Sequence, residues 1–179
     1  MTAIQTVKTE PLVIHLGKLL PSWQDSIKTI AETYDDRSVH VIYDNLDPGQ
    51  RDQLIQDMVA SGKTMHLLHS SNSKSLSNEV WHAADEVTSF IFTFPSELTN
   101  KQLTELFMGI EAIKNGEVFN FRVRKNQWRT FDEPQIFIFT KRLFSEDYLT
   151  RDKWKYHMID QGLLNSIDRT QFQQLFGLQ

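Results

Sequence analysis

The sequence predicts an α/β fold in three layers, with a mainly parallel β-sheet covered by helices on both faces. Helical and extended patterns alternate along the 179 residues, the order expected when each strand leads to a helix that crosses back over the sheet. Two strand-length segments, VTSFIFTFP over 87–95 and QIFIFT over 135–140, are apolar almost throughout. Strands of this composition are typical of a parallel sheet buried on both sides.

The first part of the chain predicts two helices and two strands. PSWQDSIKTIAETY, over 21–34, carries an apolar stripe at helical spacing. SVHVIYD, over 38–44, is a β-branched run bounded by the turn sequences DDR and NLDPG, which indicates the first strand. RDQLIQDMVAS, over 51–61, predicts a helix that ends at Gly62, and TMHLLH, over 64–69, predicts the next strand.

The middle of the chain contains the clearest helix. Before it, SSNSKSLSN over 70–78 predicts a polar loop and EVWHAADE over 79–86 a short helix, followed by the apolar strand over 87–95. NKQLTELFMGIEAIKNG, over 100–116, then places apolar residues on one face and ends at Asn-Gly. The residues on that face are Leu103, Leu106, Phe107, Ile110 and Ile113.

The last part of the chain predicts one more buried strand and a terminal helix. QIFIFT is followed by SEDYLTRDKW over 145–154, which predicts a short helical turn. KYHMI over 155–159 predicts the final strand, and residues 165–176 predict an amphipathic terminal helix. The pattern gives no internal repeat and no second domain.

Composition excludes several classes of protein. The chain has no cysteine, which excludes a disulfide framework, thiol catalysis and cysteine–zinc sites. Its formal net charge of −4 argues against a wholly basic nucleic-acid-binding coat. No apolar run approaches the roughly 20 residues of a membrane span, and the first residues lack a signal peptide's apolar stretch. We therefore expect a soluble intracellular protein that does not associate with membranes; nuclear and cytoplasmic locations remain open.

Two local patterns suggest sites that the sequence context does not favour. Gly62-Lys63-Thr64 has the letters of a nucleotide-binding loop, but it follows a helix and precedes a strand, the reverse of the required order. It would therefore face the negative end of a helix dipole. His66 and His69 lie three residues apart on a predicted strand and would point to opposite faces, so no metal site is predicted.

Four segments carry a resemblance to a known family: LLPSWQDSIKTIAETYDDRSVHVIYD, FIFTFPSEL, GIEAIKNGEVFNF, and PQIFIFTKRL with LTRDKW. In this order they resemble the helicase domain of the Rep initiators of circular single-stranded DNA viruses, a branch of helicase superfamily 3. They match its first P-loop strand with the segment before it, its Walker B strand, its B′ region, and motif C with the segment after it. Ser22 is inserted between the matching Pro and Trp. The matching residues in the first and third segments are Pro21, Trp23, Gln24, Asp35, Asp36, Arg37, Tyr43, Asp44, Glu111, Ile113, Lys114, Asn115, Gly116 and Phe119.

The resemblance implies a P-loop NTPase fold of the AAA+ type that assembles into rings around nucleic acid. It covers nearly the whole chain and gives the predicted organisation. Residues 1–18 form an N-terminal extension, residues 19–160 the degenerate helicase-like domain, and residues 161–179 a C-terminal helix.

The residues that would bind a nucleotide in that family are replaced here. Asp47 and Gln50 stand at the two glycines that let the backbone approach phosphate, although Gly49 could serve as a single glycine in another alignment. Arg51 stands at the lysine that reaches the β- and γ-phosphates, and Asp52 at the hydroxyl that ligates magnesium.

The other nucleotide motifs are replaced as well. Thr93 stands at the Walker B carboxylate and Ser96 at the arginine after it. Lys141 takes the place of the motif C asparagine, and Lys153 that of an arginine. The positions Asp47, Gly49, Gln50, Arg51, Asp52, Thr93 and Lys141 are therefore interpreted as a vestigial nucleotide site without catalytic residues.

The B′ segment retains features of a nucleic-acid-binding surface. KNGEVFNFRVRKNQWR, over 114–129, has five cations and one carboxylate, interleaved with Phe119, Phe121 and Trp128. Cations that meet phosphates and aromatic rings that stack on bases form a non-specific single-strand platform. The alternative is a solvated hairpin whose aromatic residues belong to the core. The predicted nucleic-acid-binding residues are Lys114, Arg122, Arg124, Lys125, Trp128 and Arg129.

The sequence thus leads to one functional prediction and two alternatives. We expect a Rep-helicase-like domain that has lost ATP hydrolysis and needs no cofactor. It would act as an oligomer, in the form of a ring or with a full-length Rep partner, that binds single-stranded nucleic acid or forms a scaffold in replication or packaging. One alternative is a divergent helicase that uses ATP and magnesium, and the other is a purely structural oligomerisation module.

Overall fold

The structure is a computed structural model that describes residues 20–67, 72–83, 86–94, 97–122 and 127–177. Predictions for residues 1–19, His69, Ser96, Arg124 and Lys125 lie outside the described residues. The elements in chain order are α1 (Trp23–Glu32), β1 (Val39–Tyr43), α2 (Pro48–Ala60), β2 (Thr64–Leu67), α3 (Ser73–Trp81), β3 (Ser89–Thr93), α4 (Asn100–Lys114), β4 (Glu117–Asn120), β5 (Gln127–Thr130), β6 (Gln135–Thr140), two 3₁₀ turns (Glu146–Tyr148 and Arg151–Lys153), β7 (Trp154–Asp160), β8 (Leu163–Ile167) and α5 (Arg169–Gln174).

The predicted α/β class and mainly parallel sheet are confirmed. Six strands form one sheet in the order β2-β3-β6-β1-β7-β8, in which every pairing is parallel except that of β7 with β8. β4 and β5 form a separate antiparallel pair. None of the helices in the described segments is long and apolar enough to span a membrane.

The apolar strands bury both of their faces because helices cover the sheet on each side. On one face, Phe92 and Ile138 belong to a core cluster that includes residues of α3 and α4. On the other face, Ile91 and Phe137 belong to a second cluster with residues of α1 and α2. The continuous apolar runs of β3 and β6 therefore have a direct cause, since successive side chains enter alternate cores.

The polar loop predicted over 70–78 is wrong, because most of this segment lies in α3. The Asn72 side chain caps the helix by accepting a hydrogen bond from the Ser75 N–H at 2.9 Å. Leu76 and Val80, one turn apart, are fully buried. Composition suggested a loop, but two apolar residues at helical spacing and a good cap are sufficient when the helix packs against a neighbour.

The C-terminal prediction is also corrected in part. The predicted helix over 165–176 is replaced at its start by β8, and α5 begins only at Arg169. β7 and β8 are joined by Gln161 and Gly162, which both have positive φ, of 49° and 78°. Two such residues form the tight turn that matches the twist of an antiparallel hairpin. The helix predicted from residue 51 begins earlier, at Pro48, because Asp47 caps it.

Candidate nucleotide site and nucleic-acid surface

The carboxyl end of β1 lies where the connections of two neighbouring strands diverge. β1 leads to α2, which packs in the same core cluster as Ile42. β6, its neighbour in the sheet, leads to Phe144 and Leu149 in the opposite cluster. The Asp44 N–H donates to the Thr140 carbonyl at 2.8 Å, so the two strand ends are adjacent. In open parallel sheets, ligands bind in the crevice beyond such a point.

The amino end of α2, which would meet phosphate in a P-loop, is capped by the chain's own carboxylate. Asp47 Oδ1 accepts a hydrogen bond from the Gly49 N–H at 2.9 Å. Pro48 is the first helical residue and has no N–H to offer. No residue from Asp44 to Arg51 has positive φ, whereas an anion-binding nest requires left-handed backbone. The helix end therefore presents negative charge where a triphosphate would lie.

Arg51 is engaged by carboxylates on both sides. Its Nη1 donates to Asp44 Oδ2 at 2.6 Å, and its Nε and Nη2 donate to Asp52 Oδ1 at 3.1 and 3.0 Å. Burial works to lower the pKa of Arg51, but the hydrogen bonds and charges of Asp52 and Asp44 outweigh it and raise that pKa. The guanidinium therefore stays charged and paired within the protein.

This ion pair is partly buried, and its two side chains differ in exposure. The Asp44 side chain is 5% exposed, and the Arg51 side chain is 21% exposed. Asp44 Oδ1 is buried without a hydrogen-bond partner among the described residues. Together with Asp47 and Asp52, the turn holds three carboxylates and one guanidinium. The formal charge of this group is therefore 1 − 3 = −2, which repels phosphate.

Thr93 and Lys141, the predicted Walker B and motif C positions, lie at the same carboxyl ends of the parallel strands. They do not carry the side chains that a nucleotide site requires at these positions. Thr93 Oγ1 lies 3.0 Å from His66 Nε2 on the adjacent strand, so its hydroxyl is used within the sheet. Lys141 directly follows β6 and is exposed. The structure places these positions at the carboxyl ends of the parallel strands β1, β3 and β6, and among the described residues no carboxylate stands at the end of β3.

Several residues that match the Rep pattern build the scaffold. Lys153 Nζ donates to Glu111 Oε1 at 3.2 Å and to Asn115 Oδ1 at 2.8 Å, which fastens the end of α4 to the segment before β7. The Asp35 carboxylate accepts the N–H groups of Arg37 and Ser38 at 2.9 and 3.0 Å and so shapes the turn into β1. These residues therefore form hydrogen bonds that stabilise the fold without a bound nucleotide.

Lys114 was predicted to bind nucleic acid, and the structure contradicts this. The residue is 0% exposed, and its Nζ donates to the backbone carbonyls of Asp35 and of Pro134, the latter at 2.8 Å. Burial lowers its pKa to about 8, against the opposing charges of Asp35 and Glu133. Lys114 ties the end of α4 to the loops before β1 and β6, and no nucleic acid can reach it.

β4 and β5 form an antiparallel pair, called the hairpin below, and β4 rests on α3. The Ser77 hydroxyl donates to the Phe119 carbonyl at 2.9 Å and accepts from the Phe119 N–H at 2.7 Å. The Asn78 side chain accepts the Phe121 N–H at 2.9 Å. Phe119 and Trp128 are directly opposite each other across the hairpin and are 37% and 65% exposed. The pairing thus places two partly exposed aromatic residues at opposed positions of the two strands, and the Phe119 ring lies 5.9 Å from that of Phe121.

The cations of the hairpin are less available than the sequence suggested. Arg122 is exposed, but Arg129 is stacked over the Trp81 ring at 5.0 Å and donates to the Trp81 carbonyl. Sequence reasoning missed Lys74, whose Nζ lies 5.8 Å from the Phe121 ring centre. It was missed because its helix, α3, was read as a loop. Among the described residues, Arg122, Lys74 and Trp128 are therefore the exposed members of the candidate surface.

Comparisons of the chain with protein-family models, with curated proteins and with solved structures found no match.

Proposed function

We propose that the chain is a Rep-helicase-like domain of the P-loop type that no longer hydrolyses ATP and that binds single-stranded nucleic acid as an oligomer. The observation that carries the loss of hydrolysis is the pairing at the start of α2. Asp47 caps the helix end and Asp44 holds Arg51 at 2.6 Å, so the groups nearest a nucleotide are satisfied by carboxylates. A nucleotide would have to displace both while meeting a net negative turn.

The sheet topology supports the P-loop part of the proposal. β1 lies inside the sheet between β6 and β7, and the turn after it opens at the divergence of two connections. This is the position at which a P-loop joins a buried strand to a helix. Scaffold contacts such as those of Lys153 with Glu111 and Asn115 give the Rep-matching residues a shared physical role.

The hairpin supports the nucleic-acid part of the proposal. Exposed aromatic rings are the usual stacking partners of unpaired bases. Phe119 and Trp128 present such rings as a cross-strand pair, and Arg122 and Lys74 lie at the same hairpin and its supporting helix. A base stacked on each ring, with phosphates near these cations, fits this arrangement.

Hydrolysis is tested by release of inorganic phosphate from ATP with magnesium, with and without single-stranded DNA. The proposal predicts no turnover above the level of a protein-free control. Turnover that Arg51→Ala abolishes would instead support the alternative, a divergent helicase that uses its arginine on phosphate.

Nucleic-acid binding is tested by fluorescence anisotropy on labelled single-stranded oligonucleotides. Trp128→Ala and Phe119→Ala should each weaken binding by about fivefold to a hundredfold, since a base–aromatic stack contributes roughly 1–3 kcal/mol. Arg122→Glu should weaken binding and flatten its dependence on salt. Met108→Ala removes another exposed apolar side chain, 64% exposed on α4, and should leave affinity unchanged.

Oligomeric state separates nucleic-acid binding from the purely structural alternative. Mass photometry should show a discrete oligomer of the unmodified chain. Suppose that the Trp128→Ala variant is monomeric and that the unmodified chain does not bind oligonucleotides. The exposed aromatic residues are then a contact between copies of the chain, and the nucleic-acid proposal is wrong.

A further inference from the structure

A groove of about 860 Å³ lies at the amino ends of β2 and β3, opposite the carboxyl ends at which the predicted nucleotide site lies. It is lined by the C-terminal ends of α1 and α2, the first residues of β2 and β3, and the segment before β6. Its size is in the range of pockets that hold small ligands, roughly 300–1,000 Å³. No local sequence motif indicates it, because its walls come from four separate stretches of the chain.

The charged groups that line the groove are mainly acidic. They are Glu32, Asp57, Asp132 and Glu133, with Lys28 and Lys63 as the cations. Lys28 Nζ lies 3.6 Å from Asp57 Oδ2, so this pair is neutral as a unit. Among the described lining residues, this leaves three carboxylates and Lys63, so the groove favours a cationic ligand.

An exposed aromatic ring lies beside this acidic group. Tyr34 is 74% exposed, and its hydroxyl donates to Glu133 Oε2 at 2.8 Å. Phe131, half-buried, lines the groove near Glu133. Aromatic faces next to carboxylates attract ammonium and guanidinium groups through the ring quadrupole as well as through charge.

Apolar and amide groups complete the lining. Met58 and Val87 give the groove apolar surface that suits the methylene groups of a ligand. Gln135 is 3% exposed, and its Nε2 donates to the Thr33 and Asp35 carbonyls at 2.6 and 3.3 Å, which fixes the orientation of the amide. Its Oε1 is buried without a partner among the described residues. A buried acceptor in this state is costly, and an N–H donor of a ligand would satisfy it.

We propose that this groove binds an organic cation, an alkylammonium or guanidinium group on an aliphatic chain. The same chemistry occurs in free polyamines and in lysine or arginine side chains of peptides. The carboxylates Asp132 and Glu133 bind the charge, Tyr34 stacks on it, and the apolar surface contacts the chain. The site is separate from the hairpin and does not depend on the nucleic-acid proposal.

The test is isothermal titration of the full chain with spermidine and, separately, with a blocked Arg-Arg dipeptide. Glu133→Gln should weaken binding by about tenfold or more, the effect of a lost charge-assisted hydrogen bond. Tyr34→Phe keeps the ring and should bind normally, whereas Tyr34→Ala should bind about two- to fivefold more weakly. Amide chemical shifts should move at Thr88 and Ser89, which line the groove.

Glu97→Gln is the matched control, because Glu97 is an exposed carboxylate outside the groove. It should bind both probes like the unmodified chain. Binding of spermidine alone identifies a polyamine site, and binding of the dipeptide alone identifies a site for basic peptides; either supports the proposal. Absence of saturable binding by both probes, or equal effects of Glu133→Gln and Glu97→Gln, overturns it. Thermal melting checks that each variant is folded, and Asp132→Asn replaces Glu133→Gln if that variant is not.

Discussion

Arg51→Met should destabilise the protein because it leaves a buried carboxylate without its cation. Asp44 is 5% exposed at its side chain and accepts from Arg51 at 2.6 Å, while its other oxygen has no partner among the described residues. Methionine has similar length and keeps the apolar packing of the arginine stem. The expected loss therefore comes mainly from charge and hydrogen bonding.

The size of the loss follows from burial. Removing one partner of a buried ion pair costs about 3–5 kcal/mol. Arg51 itself is 21% exposed, so water reaches part of the pair, and we expect about 3 kcal/mol. The double variant Arg51→Met/Asp44→Asn has no buried charge and should lose less than about 2 kcal/mol, because a neutral amide is cheaper to bury than an unpaired carboxylate.

Urea unfolding followed by tryptophan fluorescence measures both values, and the denaturant slope should stay unchanged between variants. If Arg51→Met lies within about 1 kcal/mol of the unmodified chain, the ion pair is not a structural element. If the double variant is no more stable than Arg51→Met, the buried charge on Asp44 is not the cause of the loss. Either result would leave Arg51 available for phosphate and would refute our account of this turn.

Three further predictions concern buried groups and close packing. Burial lowers the pKa of His40 and His157 to about 4, from 6.5. His40 Nδ1 lies 2.9 Å from His157 Nε2, so the two rings form one buried pair. The unfolded chain takes up protons first as the pH falls, and the stability of the fold, which is unaffected by this pair above about pH 6.5, should decline by a few kcal/mol for the pair towards pH 4. Urea titrations across this range check it, and His157→Gln should flatten the profile. Lys114→Met removes the donor from two buried carbonyls and should cost about 2 kcal/mol or more in urea unfolding, while anisotropy should show normal nucleic-acid affinity of the folded protein. Gly109→Ala should lower the melting temperature despite the better helix propensity of alanine, because its Cβ would lie 3.1 Å from a backbone atom of α3, and an unchanged or higher melting temperature would show that α3 can shift without cost.

The sequence predicted the sheet well because its central strands are unambiguous. VTSFIFTFP and QIFIFT are apolar on both faces, and a strand of that kind has few other places to lie. The two elements that were missed depend on neighbours. α3 needs α4, against which Leu76 packs, and β8 needs β7, which is its hydrogen-bonded partner among the described strands.

The residues of the candidate turn could be named from the sequence, but the hydrogen bonds between them could not. The residue types at positions 47, 51 and 93 can be read from the sequence, whereas the ion pair of Arg51 with Asp44 is a property of the folded turn. The burial of Lys114 could not be predicted from the sequence either. A cation in a basic segment suggests a surface residue, and only the position of the loops before β1 and β6 makes it a buried donor.

We propose that the turn after β1, which is held by its own carboxylates, does not bind a triphosphate. Titration of the isotopically labelled protein with magnesium and ATP, followed through the amide signals of Gly49, Gln50 and Arg51, tests it directly. Our account predicts no saturable shift of these signals. A saturable, magnesium-dependent shift centred on the amino end of α2 would contradict it.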